Sequence, residues 1–443
     1  MGRWQLPKIP TAPFCPSEIE GTVSVPEGAN TWQRFLAFLG PGYLVAVGYM
    51  DPGNWATDIA AGSQFGYGLL SVILISNFIA VLLQTLSVRL GLATGLDLAQ
   101  MCRAQFPARL NFVLWVFAEI AIVATDLAEL LGSALALKLL FGLPLAWGVC
   151  LTALDIVVVL ALQSRGFRWL EAMIIGLIAT IGLCFIAEIV LAKPDWGAVA
   201  AGYLPQLSIV ENPGKLYLAI GILGATVMPH NLYLHSAIVQ TRAWDKDKRE
   251  AVRFATVDST IALFAALLVN SAILIVAAAS FHFRGYQQVA EIQDAYRLLA
   301  PLLGTGAASF LFGLALLASG QSSTFTGTLA GQIVMEGFLD LRIPCWLRRL
   351  LTRALAIIPG LCGILIFGEG SIGKMLVLSQ VILSLQLPFA VFPLLLFTAN
   401  PALMGRFTSP AWIQAFAWMA GFAIAGLNAW LLIQILFVSN PAV

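Results

Sequence analysis

Long apolar segments recur along the whole chain and leave few folds open to it. Each is long enough to cross, as a helix, a hydrocarbon layer about 30 Å thick, and a helix satisfies its own backbone hydrogen bonds, as lipid requires. No stretch of about ten residues alternates apolar and polar side chains, so a transmembrane barrel is not expected. The eleven predicted spans are Phe38–Phe65, Leu69–Ala93, Leu110–Leu139, Leu143–Gln163, Trp169–Leu191, Tyr217–Gln240, Ala255–Phe281, Ala307–Leu329, Leu350–Phe367, Ile372–Phe397 and Trp412–Val438.

The composition agrees with a membrane protein. Hydrophobic residues make up 59% of the chain and charged residues 11%, whereas an average soluble domain carries about 25% charged residues. So little charge cannot cover the surface of a soluble fold, which excludes a soluble enzyme and a disordered chain. The net charge of +1, without a basic tract, argues against nucleic-acid binding. We therefore expect an all-α polytopic membrane protein that is not an enzyme.

The lysine and arginine residues predict the orientation. If the amino terminus lies in the cytoplasm, eighteen of the 24 fall on the cytoplasmic side, as the positive-inside rule requires. The carboxyl terminus then lies outside. The chain contains no Asn-x-Ser/Thr sequon, which favours a bacterial inner membrane over a eukaryotic cell surface. Residues 1–36 are polar and rich in proline, and we expect them to form a largely disordered cytoplasmic tail.

Two spans contain a proline at mid-depth. In the first span the sequence is Tyr49-Met50-Asp51-Pro52-Gly53-Asn54-Trp55, and in the sixth it is Thr226-Val227-Met228-Pro229-His230-Asn231. Proline lacks a backbone N–H and disfavours helical geometry in the residue before it, so both spans are expected to be interrupted there. Backbone freed by such a break is tolerated in a membrane where protein or a cavity satisfies it.

The two predicted breaks open two sets of five spans. Because five is odd, the second set enters the membrane from the opposite side, and the repeat is inverted. Paired interruptions in two inverted halves indicate the substrate site of a transporter. The chain is thus divided into a tail (1–36), a first five-helix repeat (37–200), a second, inverted repeat (216–398) and an extra eleventh helix (411–438).

Three side chains at these breaks are candidate metal ligands. A buried charge such as Asp51 costs about 3 kcal/mol or more, which a dication would offset; the alternative is a helix cap. Asn54 offers a carbonyl oxygen three residues later, or forms a local turn. The thioether of Met228 is a soft ligand that favours Mn, Fe and Co over Mg and Ca; its alternative is apolar packing.

The third span carries three acids, Glu119, Asp126 and Glu129. Their intervals of seven and three residues place them on one side of a helix, and acids have no reason to face lipid. We interpret them as a proton path from the metal site to the cytoplasm. The alternative is a fixed ion-pair network, with Arg353 in the ninth span as a partner.

Histidine is the side chain that titrates near neutral pH. His230 directly follows the second break, so it could take a proton or gate the pathway. His235 is either part of this pathway or a helix-packing residue. Asn270, in the seventh span, is expected to support the sixth helix.

The two proline-containing motifs resemble those of a known family. Asp51-Pro52-Gly53-Asn54 and Met228-Pro229-His230-Asn231-Leu232-Tyr233-Leu234-His235-Ser236 are similar to the two signature motifs of the Nramp family, the natural resistance-associated macrophage proteins. The resemblance runs from Gly40 to Phe397 and includes Asp126-Leu127-Ala128-Glu129 and Ser379-Gln380-Val381. It implies a LeuT-like inverted-repeat fold and proton-coupled import of Mn²⁺ or Fe²⁺, with no prosthetic group.

The resemblance also implies further ligands. These are the backbone carbonyl of Ala225 and, in some transport states, the side chain of Gln380, whose alternative role is an interhelical hydrogen bond. Gly48 stands where family members often have alanine. Because that residue is thought to offer its backbone carbonyl, the change should be tolerated.

Two other functions remain open. A sodium-coupled transporter of small organic solutes would share the fold, but an acid and a thioether fit a cation better than a substrate carboxylate. A metal sensor that does not transport would need an output domain, and the chain ends at Val443, soon after the last predicted span. The expected partners are the divalent metal and the lipid bilayer, with no nucleic acid and no obligate protein partner.

Overall fold

The computed structural model describes residues 21, 23–25, 30–152, 167–243, 248–289, 291–340 and 345–437. Most of these residues are helical. The strands in the described ranges are β1 (Val23–Ser24) and β2 (Arg242–Ala243), which pair in parallel. In chain order the α-helices are α1 Thr31–Phe38, α2 Pro41–Gly48, α3 Pro52–Phe65, α4 Leu70–Thr94, α5 Leu98–Gln105, α6 Ala108–Phe141, α7 Leu145–Thr152, α8 Phe167–Ala192, α9 Trp196–Gly202, α10 Ser208–Glu211, α11 Pro213–Thr226, α12 Pro229–Ile238, α13 Lys248–Ser280, α14 Ile292–Leu303, α15 Gly306–Leu339, α16 Cys345–Phe367, α17 Ile372–Ala399, α18 Pro401–Met404 and α19 Ala411–Phe437.

Several helices match the predicted spans. Six helical stretches of the described chain are long and apolar enough to cross a membrane: Pro52–Thr94, Ala108–Phe141, Arg168–Ala192, Lys248–Arg284, Ile372–Ala399 and Ala411–Gln434. The prediction of a nearly all-helical protein with several apolar helices is therefore confirmed. The count of eleven spans stays a prediction, and part of the fourth predicted span, residues 153–163, lies outside the described residues.

The amino-terminal segment has more structure than the sequence indicates. Val23 and Ser24 pair with Arg242 and Ala243. Helix α1 begins after Asn30, which forms a capping box with Gln33. Residues 1–36 therefore include regular elements where the structure describes them, and the expectation of a largely disordered tail stays a prediction for the segment as a whole. The physical reason is tertiary, because Phe35 of α1 packs edge-on against Phe254 of α13, and local polarity does not predict this contact.

The interior is built where helices distant in sequence approach closely. Helix α6 packs along α15 and α17, and α13 packs against α2 and α3. Glycine permits the closest contacts: a Cβ on Gly132 of α6 would lie 2.1 Å from Cβ of Pro52 at the start of α3. The first turn of α3 is thus pressed against the middle of α6.

Gly224 allows α11 to lie close against α17. A substitution at this position tests the packing. A Cβ at this position would lie 2.1 Å from the backbone oxygen of Gln380 and 2.7 Å from the nitrogen of Ser384. Because both are backbone atoms, they cannot rotate away. Gly224→Ala is expected to destabilise the protein by about 1–3 kcal/mol, measured as a lower thermal unfolding midpoint in detergent. Gly182→Ala, with no atom within 4 Å of the added Cβ, is the control, and equal midpoints would contradict the packing argument.

Candidate metal centre

Asp51 lies between two helices, α2, which ends at Gly48, and α3, which begins at Pro52. Its backbone is extended (φ −67°, ψ 165°), and its Oδ1 accepts the backbone N–H of Asn54 at 2.8 Å. Asp51 is therefore a helix cap, the alternative considered above. Its other oxygen, Oδ2, is buried and has no hydrogen-bond partner among the described residues, so capping leaves it available to a ligand.

Met228 lies between α11, which ends at Thr226, and α12, which begins at Pro229. Its backbone is also extended (φ −72°, ψ 124°). The Met228 side chain is fully buried and clusters with Ala121 and Ala124 of α6 and with Leu383 of α17. The thioether therefore has apolar neighbours.

The side-chain amide of Asn54 joins the two segments. Its Nδ2 donates to Oδ1 of Asp51 at 2.7 Å and to the backbone oxygen of Ala225 at 3.0 Å. The backbone oxygen of Gly48 lies 3.4 Å from the same nitrogen. Three oxygen atoms from two separate segments thus converge on one electropositive group, the arrangement that a cation with oxygen ligands requires.

Gln380 of α17 reaches the same region. It is fully buried, and a Cβ added to Gly53 would lie 1.8 Å from Nε2 of Gln380, so the amide rests directly on the first turn of α3. Its Nε2 donates to Oγ of Ser379 at 3.0 Å. Its Oε1 is buried and has no partner in the described part of the chain. Two unpartnered buried acceptors, Asp51 Oδ2 and Gln380 Oε1, fit the demand of a cation for oxygen.

Two contacts at the first interruption escaped sequence reasoning. Asn270 of α13 donates to the backbone oxygen of Tyr49 at 2.8 Å and to Oδ1 of Asn54 at 3.3 Å, so the expectation that it supports the sixth span is wrong. Ser319 of α15 donates to the backbone oxygen of Met50 at 2.5 Å. Both satisfy carbonyls that α2 leaves open. The only sequence signal was a polar Asn270 within an apolar segment; Ser319 gave none.

The two histidines lie in separate hydrogen-bonded groups. His230 is buried, and its Nδ1 lies 3.2 Å from Oγ1 of Thr125 on α6. His235 is also buried, and its Nδ1 lies 2.9 Å from Oε1 of Gln84, whose Nε2 donates to the hydroxyl of Tyr49 at 2.8 Å. His230 therefore faces the helix that carries the acids, whereas His235 is linked to the first interruption.

The three acids of α6 differ in environment. Asp126 and Glu129 are buried, and a Cβ on Gly327 of α15 would lie 2.7 Å from Oε1 of Glu129. Glu119 is half-buried and accepts a hydrogen bond from the indole of Trp115 at 3.0 Å. Arg353 belongs to helix α16, but the structure does not describe the Arg353 side chain. The two inner acids are thus the ones enclosed by protein.

No group of three or more His, Cys, Asp or Glu side chains within the described ranges could hold a metal ion. A metal site at Asp51 would therefore need donors of other kinds beside this carboxylate, such as amide or backbone oxygens.

The chain is similar to known proteins over nearly its whole length. A family model described as natural resistance-associated macrophage protein-like (Nramp) matches residues 42–434. The divalent metal cation transporter MntH of Nostoc sp. is 64% identical over 423 residues, which cover 95% of this chain and 96% of the relative. A crystal structure of the Eremococcus coleocola manganese transporter, in complex with an aromatic bis-isothiourea substituted compound, is 42% identical with a TM-score of 0.87, covering 96% of this chain and 92% of that one. Mhp1, a nucleobase-cation-symport-1 family transporter, shares the fold alone, at 16% identity and a TM-score of 0.57 over 91% of this chain and 95% of its own.

Proposed function

The chain belongs to the Nramp family, and on that premise we propose that it imports divalent transition-metal ions, Mn²⁺ or Fe²⁺, together with protons. The resemblance that the two motifs indicated is confirmed. The family and its relatives are membrane metal transporters rather than enzymes, and the chain is a multi-pass membrane protein. The cargo, the coupling to protons and the mechanism are proposals.

One observation carries the proposal: the Asn54 amide lies between the carboxylate of Asp51 and the carbonyl of Ala225. This contact places an acid and a backbone oxygen from two proline-marked segments around one point. In our proposal the ion takes the place of the Asn54 NH2 group, and the amide turns so that its Oδ1 faces the ion. The ligands of the ion are Asp51, Asn54, Met228, Gln380 and the backbone oxygens of Ala225 and Gly48.

We propose that transport follows alternating access on a LeuT-like scaffold of eleven spans. The interruptions at Asp51 and Met228 serve as hinges within the first and sixth spans, each of which opens one inverted repeat. The repeats cover residues 37–200 and 216–398, with a cytoplasmic tail at 1–36 and an extra helix at 411–438. The protein then lies in a bacterial inner membrane with its amino terminus inside, as the lysine and arginine distribution favours.

In the proposed proton path, Asp126 and Glu129 pass the proton towards the cytoplasm. His230 supports this path because its ring contacts Thr125, the residue next to Asp126. Glu119 would extend the path to a half-buried position, with Arg353 as a charge partner in α16 and His235 as a further group near Tyr49. The membrane potential acts on both the metal and the proton, so it drives their inward movement.

Asp126→Asn tests this path. The amide keeps the shape of the carboxylate but cannot carry a proton, so metal-driven acidification of proteoliposomes is expected to fall at least about tenfold, the scale of a removed proton-transfer group. Mn²⁺ affinity, measured by calorimetry, is expected to change far less, because Asp126 is not a proposed ligand. Asp195→Asn, the same chemical change at an exposed helix cap outside the proposed path, is the control. Normal acidification by the Asp126 variant would remove this residue from the path.

The function itself is tested by flux in proteoliposomes across Mn²⁺, Fe²⁺, Cd²⁺, Mg²⁺ and Ca²⁺, with internal pH recorded alongside. We expect uptake of the first three, acidification with uptake, and little flux of Mg²⁺ or Ca²⁺. A flux that depends on sodium without metal binding would instead favour the organic-solute transporter. Metal binding without any flux would favour a sensor.

A further inference from the structure

Helix α17 contains two prolines, Pro388 and Pro393, within an apolar segment. Proline has no backbone N–H, and its ring crowds the carbonyl of the residue four positions earlier. For Pro388 that residue is Ser384, which is fully buried. A buried carbonyl in a membrane helix needs a donor from the surrounding protein, so the Ser384 carbonyl depends on a neighbouring helix.

The donor comes from α19, the extra helix that follows the two proposed repeats. Nδ2 of Asn428 donates to the backbone oxygen of Ser384 at 2.7 Å, and Oδ1 of Asn428 accepts the Ser384 hydroxyl at 3.0 Å. Asn428 is itself only 4% exposed. We call these two bonds the Asn428 clamp. The first of them replaces the hydrogen bond that Pro388 cannot make.

The Asn428 clamp lies beside the candidate metal centre. Ser384 stands one helical turn after Gln380, the α17 residue whose amide rests on the first turn of α3. Gly224 of α11 packs against the backbone of both residues. An apolar cluster joins α19 to Val381, the neighbour of Gln380, and to α11. The clamp therefore acts on the turn of α17 that contacts α3 and α11.

A second bond attaches α19 to α17 far from this turn. Nε2 of Gln414 donates to the hydroxyl of Thr398 at 3.1 Å, and both residues are buried. Thr398 lies near the end of α17, and its hydroxyl is a side-chain group. This bond joins the same two helices without satisfying a carbonyl that a proline leaves open. It therefore separates the attachment of α19 from the support of the Ser384 carbonyl.

We propose that Asn428 is a positioning residue for the metal site. By bonding the carbonyl that Pro388 leaves open, it fixes the course of α17 and with it the place of Gln380. The inference rests on the proposed function, because it takes Gln380 as a ligand. Without this bond the Ser384 carbonyl is buried without a donor, which is unfavourable, and α17 shifts at the proline, where helices bend most readily.

Asn428→Ala is expected to weaken Mn²⁺ binding by the purified full-length protein about tenfold, the scale of losing an outer-shell partner at a metal site. Calorimetry measures the affinity. Ser384→Ala, which removes the hydroxyl and keeps the carbonyl, should retain most of it. Gln414→Ala is the matched control, because it removes the other bond between α19 and α17. It should bind Mn²⁺ like the unchanged protein.

Pro388→Ala gives a sharper test, because it restores the backbone N–H that the Ser384 carbonyl lacks. Asn428 is then no longer needed, so adding Asn428→Ala to this variant is expected to change Mn²⁺ affinity by less than about twofold. The proposal is overturned if Asn428→Ala causes the same loss in both backgrounds or causes none in the unchanged protein. It is also overturned if Gln414→Ala causes as large a loss.

Thermal unfolding of the same proteins in detergent tests the clamp without metal. Asn428→Ala is expected to lower the unfolding midpoint by about 2 °C in the unchanged background, the effect of an open buried carbonyl, and to leave it unaltered in Pro388→Ala. Equal shifts in both backgrounds would contradict the clamp. If the unchanged protein bound no Mn²⁺, the proposed function would fail and the positioning role with it, while these midpoints would still decide whether Asn428 replaces the missing bond.

Discussion

Asp51→Asn is expected to weaken Mn²⁺ binding at least about 100-fold, the scale of losing one partner of a buried charge pair. Asparagine can still cap α3, because its side-chain oxygen accepts the backbone N–H of Asn54 as Asp51 does. The substitution therefore removes the negative charge and keeps the helix start. Calorimetry on the purified protein measures the loss, and Asp51→Ala, which removes the cap as well, should bind no metal.

The matched control for this experiment is Asp195→Asn. Asp195 also caps a helix, α9, through its Oδ1, but it lies exposed at the surface. The same chemical change should leave Mn²⁺ affinity at the level of the unchanged protein. If Asp51→Asn bound Mn²⁺ as tightly as the control does, Asp51 would be a cap and nothing more.

Met228→Leu is expected to reduce the preference for Mn²⁺ over Ca²⁺ by about tenfold or more, since selectivity is a difference of two affinities. Leucine fills nearly the volume of methionine, so packing against Ala121, Ala124 and Leu383 should survive. Only the soft sulfur is lost, and it favours transition metals over Ca²⁺. Competition of Ca²⁺ with Mn²⁺ uptake in proteoliposomes gives the ratio. Met228→Ala should show the same relaxed selectivity with lower uptake.

Met101→Leu serves as the control for the thioether, because Met101 is equally buried in α5 and is not a proposed ligand. It should keep the selectivity of the unchanged protein. If Met228→Leu also kept this selectivity, Met228 would be an apolar packing residue. Its apolar neighbours are consistent with that alternative.

The sequence predicted the type of fold from short-range physics. Apolar runs predict helices in lipid whatever they pack against, and several such helices are present. The prolines at 52 and 229 act on the turn that precedes them, and α3 and α12 begin at these residues. Local polarity did not predict helix α1, which packs on α13 through Phe35 and Phe254.

The tertiary structure decided which atoms meet. Asn54 and Ala225 are 171 residues apart, and Asn270 is 221 residues from the Tyr49 carbonyl that it bonds. Such contacts depend on which helix faces which. They also depend on glycines: Gly224 lets α11 approach the backbone of α17, and Gly53 lets the Gln380 side chain reach α3. The sequence alone determines the apolar segments and the helix starts, because both depend on residues within about one helical turn of each other. The convergence of oxygens on one point needs the whole bundle, since no single helix can supply it.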